Sequence, residues 1–282
     1  MTLKLKKCCD LQQLPALPEG LKHLYLEGCE RLSVLPELPP SLAHLECHAC
    51  SNLQQLPQLA HSGITQLACS ICPLLQQLPD MPASLVSLCA HSLHQLTQLP
   101  RLPAETLQVL HLFETGMTEL PSSMPCLEEL HCGRTPIQQL PALPRCLSSL
   151  HLQGLGLRSL AVLPSCLTSL RLQGFEQLQQ LPEQLPPQLV SLDVSHCTAL
   201  QQLPEQLPAG LRGLDCSGCS ALQQLPAQLP PQLETLWVSH CTALQQLPPL
   251  PPALQVLECQ GCRNTVRHPN TSTRRLRSAA RD

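Results

Sequence analysis

Four pairs of cysteines separated by two residues are the first groups in this chain that could do chemistry: Cys47/Cys50, Cys69/Cys72, Cys216/Cys219 and Cys259/Cys262. Cysteines at that spacing hold tetrahedral zinc, and the first two pairs together match the ligand number of a four-thiolate site. Three histidines, His111, His131 and His151, recur at a fixed interval and are followed at the same interval by Arg171. Imidazoles gathered in this way suit a metal ion or a pH-sensitive patch. Cys89, with His91 and His111, is the candidate cysteine–histidine nucleophile. Such a device needs a third, orienting group and a pocket. The chain has no G-x-x-x-x-G-K-[ST] phosphate loop, no H-E-x-x-H and no G-x-S-x-G.

The elements that must position these residues come from an internal repeat. Leu189, Leu211 and Leu233 open three nearly identical stretches. Numbered from its first leucine, a unit reads L-x-x-L-x-(L/V/C)-x-x-C-x-x-L-x-x-L-P. Units of 20–22 residues start at Leu21, Leu42, Ile64, Leu85, Leu107, Leu127, Leu147, Leu167, Leu189, Leu211, Leu233 and Leu254, after a truncated one from about Leu3. Positions 4 and 6 alternate with variable residues, which predicts a short strand with one buried face. Position 9 turns the chain inward. The leucines at 12 and 15 and the following prolines carry it back along an extended, polyproline-like path, because proline fixes φ and lacks a donor. One unit cannot bury its leucines alone, whereas stacked units form a continuous core. The expectation is an α/β-class leucine-rich-repeat solenoid over residues 1–262, with parallel strands on a concave face and little helix. From Leu107 to Cys166 the units shorten to 20 residues, and position 9 becomes Thr115, Thr135 and Leu155. A change of curvature is expected there, without a linker.

This register reinterprets the candidate chemistry. Every cysteine pair falls at positions 6 and 9, two core columns. Cys29, Cys197 and Cys241 occupy position 9 in units that have Leu or Val at position 6. The pairs are therefore expected to pack as small hydrophobes, with the thiol serving the turn. No metal, no cofactor and no catalytic residue is expected, and an open strand face offers no pocket for Cys89. The cysteines follow the repeat rather than forming disulfide sets, which suggests a reducing intracellular compartment.

Positions 3, 5, 7 and 8 are expected to face solvent. The candidate partner-binding residues are Tyr25, Glu46, His111, His131, His151, Arg171, Asp193, Asp215 and Trp237 at position 5, with Phe113 at position 7. The chain has one Trp, one Tyr and two Phe, and three of these four lie on outward positions; Phe175 alone sits in a core column. Aromatics anchor protein interfaces. The column is basic in its middle and acidic at Asp193 and Asp215, which would orient a partner. His196 and His240, at position 8, are read as strand-end surface residues.

Charged residues make up only 13% of the chain. Residues 1–262 carry a net charge of −8 and residues 263–282 carry +5, from six arginines and one aspartate. The tail lacks the leucine period and is expected to be a basic disordered segment. Arginines without aromatics do not make a nucleic-acid site, so no nucleic-acid partner is expected. No small-molecule substrate is expected either. No apolar run approaches the roughly 18–20 residues of a membrane span, and no secretory signal peptide is seen.

The phrases LPELPPSLAHL (Leu35–Leu45) and LPALPRCLSSL (Leu140–Leu150) resemble the LPX-type leucine-rich repeats of bacterial type III secreted effectors. SGCSALQQLP (Ser217–Pro226) is similar to repeats of plant intracellular immune receptors. The resemblance covers residues 3–262. It implies a non-enzymatic protein-binding module, a secreted effector acting on a host protein in host cytoplasm. The alternative it implies is the substrate-recognition part of a ubiquitin-ligase effector. Twenty residues follow the last unit, too few for the catalytic domain of that ligase family. The usual Asn of those effectors at position 9 is Cys here. The chain opens inside a repeat without a polar cap, which implies a covering chain or a longer gene. Oligomeric state is left open.

Overall fold

Every described coil has one short strand, and the repeat dictates where each begins. The computed structural model describes residues 1–160 and 162–262; the basic tail expected over 263–282 lies outside the described residues. The chain divides into two compact units, Met1–Ile137 and Gln138–Asp282. The division falls among the shortened 20-residue coils.

In the first unit seven strands pair in chain order, all parallel: β1 (Thr2–Lys6), β2 (His23–Glu27), β3 (His44–His48), β4 (Gln66–Ser70), β5 (Ser87–His91), β6 (Val109–Phe113) and β7 (Glu129–Gly133). The second unit has six: β8 (Ser149–Gln153), β9 (Ser169–Gln173), β10 (Ser191–Asp193), β11 (Gly213–Asp215), β12 (Thr235–Trp237) and β13 (Val256–Glu258), again parallel and in order. The register pairs equal repeat positions, as in Leu24↔Leu45 and Leu192↔Leu214. A one-residue slip would turn each leucine column out to water, so the hydrophobic pattern itself sets the register.

The leucine columns are dry. Leu192, Leu214 and Leu236 are 1%, 0% and 0% exposed. Position 9 is equally buried whether it holds Cys29, Cys219, Thr115, Leu155 or Phe175. Two turns explain how the 21- and 22-residue coils close. The position-12 amide donates to the position-9 carbonyl, as in Leu32 N to Cys29 O and Leu222 N to Cys219 O, both 3.1 Å. The position-1 amide donates to a proline carbonyl three residues earlier, as in Leu42 N to Pro39 O (2.9 Å) and Leu233 N to Pro230 O (3.1 Å). Proline loses its donor but keeps its acceptor, so it can end the return path without leaving an orphan group.

Position 8 carries the sharpest backbone demand. It lies in the left-handed region in coil after coil, from Lys7 (φ 53°) and Gly28 (φ 65°) to His240 (φ 62°) and Gly261 (φ 73°). This conformation aims its amide at the next coil's position-7 carbonyl, as in Gly28 N to His48 O (2.9 Å) and Gly218 N to Ser239 O (2.7 Å). His196 and His240, expected simply as strand-end residues, hold this strained corner and remain exposed.

The described residues contain no helix, which agrees with the expected extended return path with little helix; only the α/β class name finds no helix to rest on in them. The reason is local. Each return path carries Leu-Pro, often with further prolines, and these remove the donors a helix needs. No helix of the described residues is long and apolar enough to cross a membrane.

Candidate functional site

Alternation along each strand decides which side chains are available. In β2, β3, β5, β6 and β8 the second and fourth residues are fully buried and the others are half-buried. The outward columns are therefore flanked by their neighbours on adjacent strands rather than standing free in water. Parallel strands are about 4.8 Å apart, close enough for like positions to touch.

All eighteen cysteines are free thiols. At position 9 the thiol donates to the position-6 carbonyl of the preceding coil. In the first unit the distances are long: Cys29 to Leu5 O 3.9 Å, Cys50 to Leu26 O 4.0 Å and Cys72 to Cys47 O 3.8 Å. In the second they are 2.9 Å for Cys197 to Leu172 O, 3.1 Å for Cys219 to Val194 O and 3.0 Å for Cys241 to Cys216 O. Burial pushes the thiols up, Cys197 to about 11 and Cys241 to about 12. The sulfurs of Cys47, Cys50, Cys69 and Cys72 do not converge as one ligand set, so these pairs serve the core and the turn.

Tyr25 and Glu46 are register partners on β2 and β3. His44 lies between them, 4.8 Å from the Tyr25 ring centroid and with Nε2 3.6 Å from Glu46. Lys4 Nζ stands 4.8 Å from the Tyr25 centroid, a cation–π distance.

On β5 to β7 the predicted residues meet a group the sequence reading passed over. The His111 and His131 rings stack, with centroids 4.1 Å apart and planes within 2°. Both Nε2 atoms face Glu129 Oε1, at 3.1 Å and 2.9 Å. Glu129 sits at position 3, two residues before His131 on β7, so the two share a face. Its signal was present as a carboxylate next to the histidine column, and a column-by-column reading of position 5 alone could not register it. Cys89 Sγ lies 3.5 Å from His111 Nδ1. Cysteine, histidine and carboxylate thus stand in series, but burial pushes the Cys89 thiol up, the opposite of what a nucleophile needs.

Phe113 carries Arg134 over its ring, Cζ 5.5 Å from the centroid. Glu114 accepts from Ser92 Oγ (2.8 Å) and pairs with Arg134 (3.0 Å), and these two partners hold its carboxyl below the usual range. His91, 6.1 Å from His111, is pushed down by burial and by that neighbour.

In the second unit His151 is half-buried and Arg171 is exposed. Asp193 accepts the Ser195 amide at 2.9 Å and Asp215 accepts the Ser217 amide at 2.8 Å. Asp215 is buried. Both aspartates thus close the strand end, a structural duty the sequence reading did not assign. Trp237 is half-buried, beside Asp215 on one side and Glu258 on the other.

A scan against protein-family models and a search of curated proteins gave no match. Solved structures did. YopM, a leucine-rich effector protein from Yersinia pestis, is 32% identical with a TM-score of 0.74, over 89% of this chain and 69% of that one. YopM from Yersinia enterocolitica is 29% identical with a TM-score of 0.64, over 92% of this chain and 64% of that one. The chain spans about two thirds of the length of these two proteins.

Proposed function

Since the chain belongs to the bacterial leucine-rich-repeat proteins of the YopM kind, we propose that it is a non-enzymatic module that binds a partner protein on its outward strand face, the concave one. One observation carries this reading. The outward columns place Tyr25 and Phe113 on the strand face of the first unit and Trp237 on that of the second, among mostly polar and charged neighbours, while the leucines that could compete for them stay in the core. Half-buried aromatics on rigid strands lose little entropy when they dock. His111, His131, His151 and Arg171 would meet acidic groups of the partner and Glu46 would steer its basic ones, whereas Asp193 and Asp215 are engaged by the turn amides. Because YopM is described as an effector, the partner proposed is a host protein, met in host cytoplasm after secretion. No structural observation favours the ubiquitin-ligase alternative.

The test is capture of host-lysate proteins on immobilised full chain, compared with Tyr25→Ala/Trp237→Ala. Removing two anchors is expected to weaken a specific partner about tenfold or more. A partner retained equally by wild type and variant would sink the reading.

A further inference from the structure

We propose that His111, Glu129 and His131 form a site for one divalent transition-metal ion of the zinc class. The inference does not rest on partner binding; it rests on the geometry of β6 and β7. Register sets His111 opposite His131, and the stacked rings leave both Nε2 atoms pointing to one carboxylate oxygen. Among the described residues, this is the group of three or more potential ligands whose donor atoms all lie within 4.8 Å of one another. Donors on a tetrahedral zinc, bonded at about 2.0–2.2 Å, stand roughly 3.3 Å apart. The distances of 3.1 Å and 2.9 Å from Glu129 to the two histidines need to open by only a few tenths of an ångström, and one imidazole must turn out of the parallel stack so that both in-plane lone pairs meet the ion.

The donor set decides the ion. Two imidazoles and one carboxylate suit zinc and its first-row neighbours, whereas calcium and magnesium take oxygen ligands. The platform is rigid: Leu110, Leu112 and Leu130 beneath the ligands are fully buried. A preformed site on packed strands holds its ligands better than one on loops. The three residues are half-buried, so a fourth position opens outward, toward water or a donor from another molecule. Cys89 is not a ligand. Its sulfur stands at the far nitrogen of His111, the place of an outer partner that orients a ligating imidazole. Without the ion, Glu129 accepts from both imidazoles, which keeps the three ligands together.

The experiment uses the full chain, freed of metal by a chelator and then titrated with zinc and, separately, cobalt. Bound metal is measured by elemental analysis and by calorimetry. One equivalent of zinc is expected, lost in His111→Gln/His131→Gln and weakened by about tenfold or more in Glu129→Gln. The cobalt complex is expected to show visible ligand-field bands without a thiolate charge-transfer band. The leucine columns are untouched in these variants, and equal thermal midpoints will verify it. Absence of zinc in the wild type would overturn the proposal. So would an undiminished equivalent in the double histidine variant, which would place the ion elsewhere, or a thiolate band, which would place it on cysteines.

Discussion

The early coils and the late coils solve one closure problem in two ways. From β1 to β7 the strands run five residues and end at position 7. From β10 to β13 they run three and end at position 5. In the late coils Asp193 and Asp215 take the amides of Ser195 and Ser217, so a side chain replaces part of the strand ladder. The position-9 thiol then reaches the preceding coil at 2.9–3.1 Å for Cys197, Cys219 and Cys241, against 3.8–4.0 Å for Cys29, Cys50 and Cys72. The leucine columns are the same in both regions. What differs is how the polar backbone at the strand end is satisfied. The early coils lean on the sheet, and the β10 and β11 coils add an aspartate side chain. The early coils also hold the histidine–carboxylate cluster, while the outward aspartates of the late coils are occupied with the turn.

The largest effect should not distinguish the regions. Leu45→Ala and Leu214→Ala, each removing a fully buried side chain at position 4, should both cost about 2–5 kcal/mol in denaturant unfolding. A much smaller loss in one region would show that its core is not closely packed. Next come the left-handed corners. Gly28→Ala and Gly218→Ala both force a Cβ into positive φ, at a cost of about 1–2 kcal/mol. At Gly28 the new Cβ would meet Lys7 at an ordinary 3.6 Å, while at Gly218 it would lie 2.6 Å from His196 Nδ1. The late variant should therefore also displace the His196 ring, visible as a changed histidine resonance. An unmoved ring would contradict the packing of position 8 on position 8.

A finer probe is the thiol hydrogen bond. Cys241→Ala and Cys50→Ala lose similar apolar volume, but only Cys241 makes a short bond to the neighbouring coil. The late variant is expected to be less stable by about 1 kcal/mol more, since a buried carbonyl loses its donor. Equal losses would reduce the two regions to one mechanism. The mildest effect, per residue, is that of pH. Burial raises the Cys197 thiol to about 11 and the Cys241 thiol to about 12, so the folded chain keeps these protons when the unfolded chain releases them. Their stabilisation is complete below the unfolded value of about 8.5 and fades as pH rises through the folded values. Stability measured from pH 8 to pH 9 should fall by about half a kcal/mol per such thiol. A flat profile would mean that these sulfurs meet water.

Much of the architecture was readable from residue spacing. A leucine at positions 1, 4, 6, 12 and 15 with proline after it leaves one way to bury them all, so the strand positions, the coil length and the role of cysteine at position 9 follow from pattern. The scarcity of helix in the return path follows from proline, and the expectation of an extended path with little helix drew that consequence. The site was less readable. His111 and His131 could be placed in one column from their spacing, but Glu129 belongs to a different column. The duty of Asp215 at the Ser217 amide depends on where β11 stops.

The sequence by itself determined the period, the inward columns and the outward ones, because burial of apolar surface is a property of pattern. Tertiary structure alone decided what depends on distance and direction between coils. It set the left-handed corner at position 8, the short and long thiol bonds, and the meeting of two imidazoles with one carboxylate. Hydrogen bonds and metal ligation change steeply over tenths of an ångström, a scale that no spacing of letters can specify.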